Sequence, residues 1–143
     1  MSQYKKIATE FKNLDSLILA LTDLLGVGNF TVDKTLSNKL SMYGYHGDER
    51  PEKASINVSR TVVNKQYSGG SSNDFGFAYD QAGKMFTAII SDFDSTAGTM
   101  RLVEQLRQKY AYHEVVRQAK MKGYSIRQVE SKDKTIRLQL VKL

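Results

Sequence analysis

The chain has 143 residues, of which 41% are hydrophobic and 25% charged; this fits one globular domain, residues 1–143, and disfavours long disorder. It contains no cysteine and two histidines, which excludes disulfides, thiolate catalysis and metal sites rich in cysteine or histidine, so we expect no metal and no cofactor. Residues 101–143 carry eleven Lys/Arg and four Asp/Glu, so the basic character lies in the C-terminal third, where an anionic partner would bind.

The N-terminal segment predicts a strand followed by a helix. Residues 5–11 are predicted as a strand. Asn13 is a typical N-cap residue and Gly26 a typical helix stop, after which Val27 is expected to fold back on the last turn. Apolar residues between the caps repeat with helical spacing. They are Leu14, Leu17, Ile18, Leu21, Leu24 and Leu25.

The middle of the chain predicts strands and loops. Residues 30–32 are predicted as a short strand and residues 43–51 as a polar loop. Residues 54–63 alternate between apolar and polar side chains, which indicates a strand with one buried face. Residues 68–73 are predicted to be a flexible connection.

Residues 74–92 predict a β-hairpin. Its turn is expected at residues 80–83, with Gly83 at positive φ. Residues 85–90 are apolar enough for a central strand.

A long helical pattern follows and is expected to stop at Gly123. Asp94, Ser95 or Thr96 could cap its start. A phase shift in the apolar stripe near Ala111 indicates a kink or two joined helices.

Residues 124–129 and 135–141 predict a final hairpin. Because strands follow directly on strands along much of the chain, we expect an α+β fold: a mainly antiparallel sheet with two to three helices packed on one face.

Several segments together carry a family resemblance, and the run Tyr110-Ala111-Tyr112-His113 is the most specific of them. The segments are the opening Met1-Ser2 with Tyr4 and Ile7, then residues 74–77, 83–86, 91–92, 109–116, Ala119, residues 123–126 and 135–140. The chain resembles the domain-of-unknown-function 1257 family, the hypothetical chloroplast open reading frame 35 proteins of algal plastids, cyanobacteria and some of their phages. The resemblance implies a photosynthetic setting and no established activity or catalytic residues.

The N-terminal residues are not followed by an apolar signal core, and no apolar run approaches the roughly 20 residues that span a bilayer. We therefore expect no membrane span and a cytoplasmic location, or the plastid stroma if the resemblance holds.

The segment Asp92-Phe93-Asp94-Ser95-Thr96 matches the signature of haloacid-dehalogenase-like phosphatases, in which the first aspartate attacks phosphorus. A strand end followed by a helix cap needs the same residue types. We favour the cap, because about 50 residues follow, too few for the rest of a doubly wound phosphatase.

A second polar group surrounds His46. Its neighbours in sequence are Tyr43, Tyr45, Asp48, Glu49 and Arg50. Such a group could perform acid–base chemistry or bind an anion, but a solvated loop is far commoner and is our prediction. Residues 68–72 lack the Gly-Lys-Ser/Thr ending of a phosphate loop.

The basic C-terminal third could bind nucleic acid, because cationic side chains neutralise phosphates and aromatic rings stack on bases. The candidate residues are Arg107, Lys109, Arg117, Lys120, Lys122 and Tyr112. The tyrosines of this region also have core-like spacing, and an acidic protein partner explains the same charge. With no catalytic residues assigned, we expect a non-catalytic accessory or interaction protein with a protein partner; a nucleic-acid-binding module is the alternative.

Overall fold

The computed structural model describes residues 4–66, 73–91, 98–130 and 136–142. These segments form three helices and nine strands. In chain order they are β1 (Tyr4–Ala8), α1 (Leu14–Leu25), β2 (Thr31–Val32), β3 (Leu40–Tyr43), β4 (Glu49–Ala54), β5 (Ile56–Val58), α2 (Arg60–Gln66), β6 (Phe75–Asp80), β7 (Met85–Ser91), α3 (Gly98–Met121), β8 (Tyr124–Glu130) and β9 (Ile136–Lys142).

The main sheet has five strands in the order β1-β7-β6-β5-β2, and each neighbouring pair is antiparallel. Strands β3 and β4 form a separate hairpin, as do β8 and β9. The predicted α+β class is confirmed. So are the interior position of β7, between β1 and β6, the hairpin of β6 with β7, and the final hairpin.

The main sheet is covered on both faces. Ala88 and Ile90 of β7 belong to the larger apolar cluster, which includes residues of all three helices. Ile89, whose side chain lies on the opposite face because side chains alternate along a strand, belongs to a second cluster with Met42 and Ala54 of the β3–β4 hairpin. The helices therefore cover one face and the hairpin covers part of the other.

Helix α1 begins and ends where the sequence predicts. The Asn13 side chain accepts a hydrogen bond from the Ser16 amide at 2.9 Å, and Gly26 has φ 89°. Val27, however, is 86% exposed, so its predicted packing on the last turn is wrong. Asn29 covers that end instead, because its side chain donates to the Leu25 carbonyl at 2.6 Å.

Two predictions for the middle of the chain are wrong. Residues 49–51 belong to β4 and not to a loop, so only residues 44–48 form the turn between β3 and β4. The alternating pattern of residues 54–63 does not continue as one strand, because α2 begins at Arg60. Ser59 starts that helix by accepting the Val62 amide on its carbonyl at 3.1 Å, and tertiary burial of Val63 fixes it.

Two further details differ from prediction. Positive φ in the β6–β7 turn falls on Lys84 and not on Gly83, because the Asp80 side chain accepts the Ala82 amide at 3.0 Å and the Asp80 carbonyl accepts the Lys84 amide at 2.8 Å. Helix α3 is continuous from Gly98 to Met121, so it does not divide into two helices. The predicted connection 68–73, apart from its last residue, and the motif at 92–96 lie outside the described residues.

A buried aspartate joins five elements at one end of the sheet. Asp74 is 6% exposed. Its Oδ2 accepts from the Tyr43 amide at 3.0 Å and from the Asn57 side chain at 3.1 Å, and its Oδ1 accepts from the Arg60 amide at 3.2 Å. Its carbonyl accepts from the Tyr4 hydroxyl at 2.9 Å. Asp74 thus fixes β1, β3, β5 and α2 around the start of β6.

The β3–β4 hairpin approaches the sheet closely over Gly76 of β6. A Cβ atom at this position would lie 2.8 Å from the Ile56 carbonyl oxygen, 3.1 Å from Met42 Cε and 3.2 Å from Ala54 Cβ. The first of these neighbours is backbone and cannot move without shifting a paired strand.

We expect Gly76→Ala to lower the free energy of unfolding by roughly 1–3 kcal/mol, the usual cost of overpacking. Gly83→Ala is the matched control. Its added Cβ would meet Asp80 Oδ2 at 2.7 Å, the end of an exposed side chain that can move at the expense of its exposed hydrogen bond to the Ala82 amide, so its effect should stay below about 1 kcal/mol. Urea unfolding measures both values, and equal losses would contradict the close approach over Gly76.

Candidate interaction groove along helix α3

A cavity of about 570 Å³ lies between α3 and the segment that leaves β1. Its lining consists of Ala8, Thr9, Glu10, Phe11, Arg107, Tyr110, Ala111, Glu114, Val115 and Gln118. A second cavity of about 330 Å³ shares two of these residues and extends past the end of the helix. Its lining consists of Val115, Gln118, Ala119, Lys122 and Tyr124. The two adjoining cavities are called the α3 groove below.

Exposed side chains of the groove follow one stripe of α3 and continue to Lys122, the residue after its end. Arg107, Ala111, Val115, Gln118 and Lys122 recur at spacings of four, four, three and four residues, which places them on one side of a helix with about 3.6 residues per turn. Val115 is 46% exposed. The stripe therefore has an apolar middle and a cationic residue at each end.

The side chain of Glu114, in the wall of the groove, is held in place by hydrogen bonds from its neighbours. Its two oxygens accept from Arg117 Nε at 2.7 Å and from a terminal nitrogen of the same guanidinium at 2.9 Å. Ser16 of α1 donates to it at 2.8 Å and Gln118 at 3.1 Å. The hydrogen bonds from Arg117, with those of Ser16 and Gln118, lower the pKa of Glu114 to about 2, so the carboxylate is ionised at neutral pH and is not placed to donate a proton.

Tyr110 forms part of the floor of the groove and is 7% exposed. Its hydroxyl oxygen accepts from the Lys12 and Asn13 amides at 2.9 and 3.0 Å, and its ring centroid lies 4.7 Å from that of Phe11. The side chain therefore holds the start of α1 against α3.

The predicted nucleic-acid-binding residues do not all lie together. Arg107 lines the larger cavity and pairs with Glu104 at 3.3 Å, while Lys122 lines the smaller one. Lys109 and Lys120 are exposed and eleven residues apart, so they share another side of α3. Arg117, the fifth cation of the predicted set, forms the ion pair with Glu114.

Tyr112, the remaining predicted residue, is half-buried. Its ring centroid lies 5.1 Å from that of His113, whose Nε2 is 2.6 Å from Asp23 Oδ2 on α1. These contacts place Tyr112 beside the packing of α1 on α3.

The other candidates from the sequence are His46, a metal site, a membrane span and the Asp92–Thr96 motif. His46 lies in the exposed turn between β3 and β4. Within the described ranges, no three His, Asp or Glu side chains converge as a metal site would require. No described helix combines the length and apolar character that a membrane crossing needs. The Asp92–Thr96 motif has no described position.

Sequence reasoning did not assign Glu114, Val115 or Gln118 to a site. The spacing of Glu114 and Arg117 is a local signal for an ion pair. The groove itself has no local signal, because it needs the segment after β1 to meet α3. Lys12 and Tyr110, which bond across this junction, are 98 residues apart.

A family model described as "Protein of unknown function (DUF1257)" matches residues 21–139. The matched range includes all of α3 and therefore most of the groove. No curated protein and no solved structure matches the chain.

We expect Glu114→Gln to lower the free energy of unfolding at pH 7 by roughly 1–2 kcal/mol, because a partly buried, bidentate pair is lost. The folded pKa of about 2 lies below the ordinary value of 4.5. The stabilisation is therefore complete above the unfolded pKa and disappears as the pH falls toward 2. Urea unfolding of both proteins across this range measures the difference.

The control for this prediction is Glu104→Gln, which breaks the exposed pair with Arg107, whose side chains are 64% and 48% exposed. Its effect should stay below about 0.5 kcal/mol. A Glu114→Gln effect that did not change with pH would show that the ion pair is not its source.

We expect Tyr110→Phe to lower the free energy of unfolding by about 1–3 kcal/mol, because two backbone amides lose their acceptor while the ring stays. Tyr45→Phe removes a hydroxyl from a residue that is 61% exposed and should leave the stability unchanged. Thermal unfolding of both variants measures this. A Tyr110→Phe variant as stable as the wild type would mean that water replaces the hydroxyl.

Proposed function

The chain belongs to the DUF1257 family of proteins of unknown function, and on this premise we propose that it is a non-catalytic interaction protein that holds a segment of a protein partner in the α3 groove. The observation that carries the proposal is the groove itself, with its apolar middle and cationic ends.

The non-catalytic part of the proposal is supported by the polar groups around the groove. Glu114 is held by Arg117, and the Tyr110 hydroxyl is used by two backbone amides. The Thr9 hydroxyl donates to the Phe86 carbonyl. An acid, base or nucleophile must be able to reach a substrate, and these groups are already engaged by the scaffold.

A protein partner is supported by the arrangement of charge and apolar surface. Arg107 and Lys122 are separated by 15 residues, about 22 Å at about 1.5 Å per helical residue, which an extended segment of about seven residues spans. A partner segment with an acidic residue near Lys122 and an apolar side chain against Val115 would complement this surface.

The setting is also part of the proposal. The family likeness supports a photosynthetic organism or its phage as the source, an accessory role, and the cytoplasm or plastid stroma as the compartment.

The second candidate function is nucleic-acid binding by the same helix, α3. Lys109 and Lys120 lie on one exposed side of α3, and neither forms an ion pair with another described residue. Together with the rest of the basic third they could neutralise phosphates of a nucleic acid.

We expect Val115→Glu to weaken the protein partner's binding at least about tenfold, because it places a charge in the apolar middle of the groove. Partners are captured from a cyanobacterial lysate treated with nuclease, purified, and titrated calorimetrically against each variant. Val27→Glu, at a residue 86% exposed and outside the groove, is the matched control and should bind as the wild type does.

Equal binding by both variants would refute the groove as the interaction site. The second candidate function would be favoured by two results together: nuclease treatment abolishes capture of the partner, and the double variant Lys109→Ala, Lys120→Ala abolishes it as well.

A further inference from the structure

Aromatic side chains are exposed at the turn of the β3–β4 hairpin. Tyr43 is 46% exposed and Tyr45 61%. The neighbouring His46 is exposed as well, and its ring centroid lies 4.9 Å from that of Tyr45. Single exposed apolar groups are ordinary, but a group of exposed rings marks a surface that contacts another molecule.

A cation lies directly against this group. The guanidinium carbon of Arg60, the first residue of α2, is 5.4 Å from the centroid of the Tyr45 ring, within the range of a cation–π contact. Arg60 forms no ion pair with any other residue that the structure describes. Its charge is therefore available to an anion.

Two consecutive buried side chains fix this surface. Asn73, 4% exposed, accepts the Tyr45 amide on its side-chain oxygen at 2.8 Å. Asp74 accepts the Tyr43 and Arg60 amides at 3.0 and 3.2 Å. Because all three backbones are anchored in advance, a ligand would not have to order them, which lowers the entropic cost of binding.

We propose that this surface, called the hairpin-tip surface and formed by Tyr45, His46 and Arg60, binds single-stranded nucleic acid. Exposed rings beside a guanidinium provide stacking platforms for unpaired bases, and Arg60 provides the contact to a phosphate. Bases in a duplex do not present their faces in this way. The proposal is independent of the α3 groove and of its protein partner.

Charge and chemistry favour a nucleic acid over an acidic peptide here. The guanidinium of Arg60 beside the Tyr45 ring attracts a phosphate. A carboxylate would satisfy Arg60 alone, whereas a nucleotide engages the ring and the guanidinium together, since it combines a π-face with a phosphate.

The test is fluorescence anisotropy of a fluorescein-labelled uridine oligonucleotide of about 12 nucleotides, titrated with the full-length protein from about 50 mM salt upward. We expect Tyr45→Ala to raise Kd about tenfold with an unchanged salt dependence, because it removes stacking only. Arg60→Ala should raise Kd and lower the slope of log K against log salt by about 0.7, since one phosphate contact is lost.

Two controls make the test specific. Tyr45→Phe keeps the ring and should bind as the wild type does. The double variant Lys109→Ala, Lys120→Ala removes two charges from α3 and should weaken binding less than Arg60→Ala does. Thermal unfolding shows whether each variant is folded. If Arg60→Ala is unfolded, the comparison of Tyr45→Ala with Tyr45→Phe tests the proposal.

Three results would overturn the proposal. The first is no binding of the oligonucleotide at the lowest salt. The second is binding that the α3 double variant abolishes and Tyr45→Ala leaves intact, which would move the nucleic-acid site to the basic third. The third is selective loss of a protein partner, and not of the oligonucleotide, in Tyr45→Ala.

Discussion

The carboxylate of Asp74 constrains the arrangement of the molecule around one end of its sheet. Removing a carboxylate from water costs several kcal/mol unless its oxygens are hydrogen-bonded. Here the bonds come from the Tyr43 amide, the Asn57 side chain and the Arg60 amide. Because these groups belong to β3, β5 and α2, the three elements have one arrangement that satisfies the carboxylate. The hairpin is therefore placed on the sheet by polar contacts as well as by the apolar contact of Met42 with Ile89.

The sequence predicts those elements whose signals are local. The caps of α1, the apolar run of β7 and the stop at Gly123 all act within a few residues, and the structure confirms each of them. The sequence does not predict strand β4, because its residues, Glu-Arg-Pro-Glu-Lys-Ala, have no apolar alternation. It is a strand because it pairs with β3, where Lys53 bonds to Glu49 and Ser41 across the exposed face. Long-range pairing of this kind cannot be inferred from periodicity.

Only part of each candidate surface could be predicted from the sequence, because the rest depends on long-range contacts. The basic third and the core-like spacing of Tyr110 could be predicted, and burial of that ring agrees with the spacing. Counting charges does not show that the cations of α3 point to several sides, or that Arg107 and Arg117 each have a carboxylate three residues earlier in contact. The group around His46 was recognisable, but Arg60 joins it only through the fold.

The polar residues of the described structure divide according to exposure, and this division bears on function. The buried ones, such as Asn73, Asp74 and Tyr110, satisfy backbone amides. Tyr45 and Lys122 are exposed and Arg60 is half-buried, and in the proposals above their ring and cations contact another molecule without forming or breaking bonds. A catalyst instead needs a reactive group that is both activated by the scaffold and open to a substrate. Rigid positioning of surface side chains by buried polar anchors is therefore the structural feature on which both proposed binding surfaces depend.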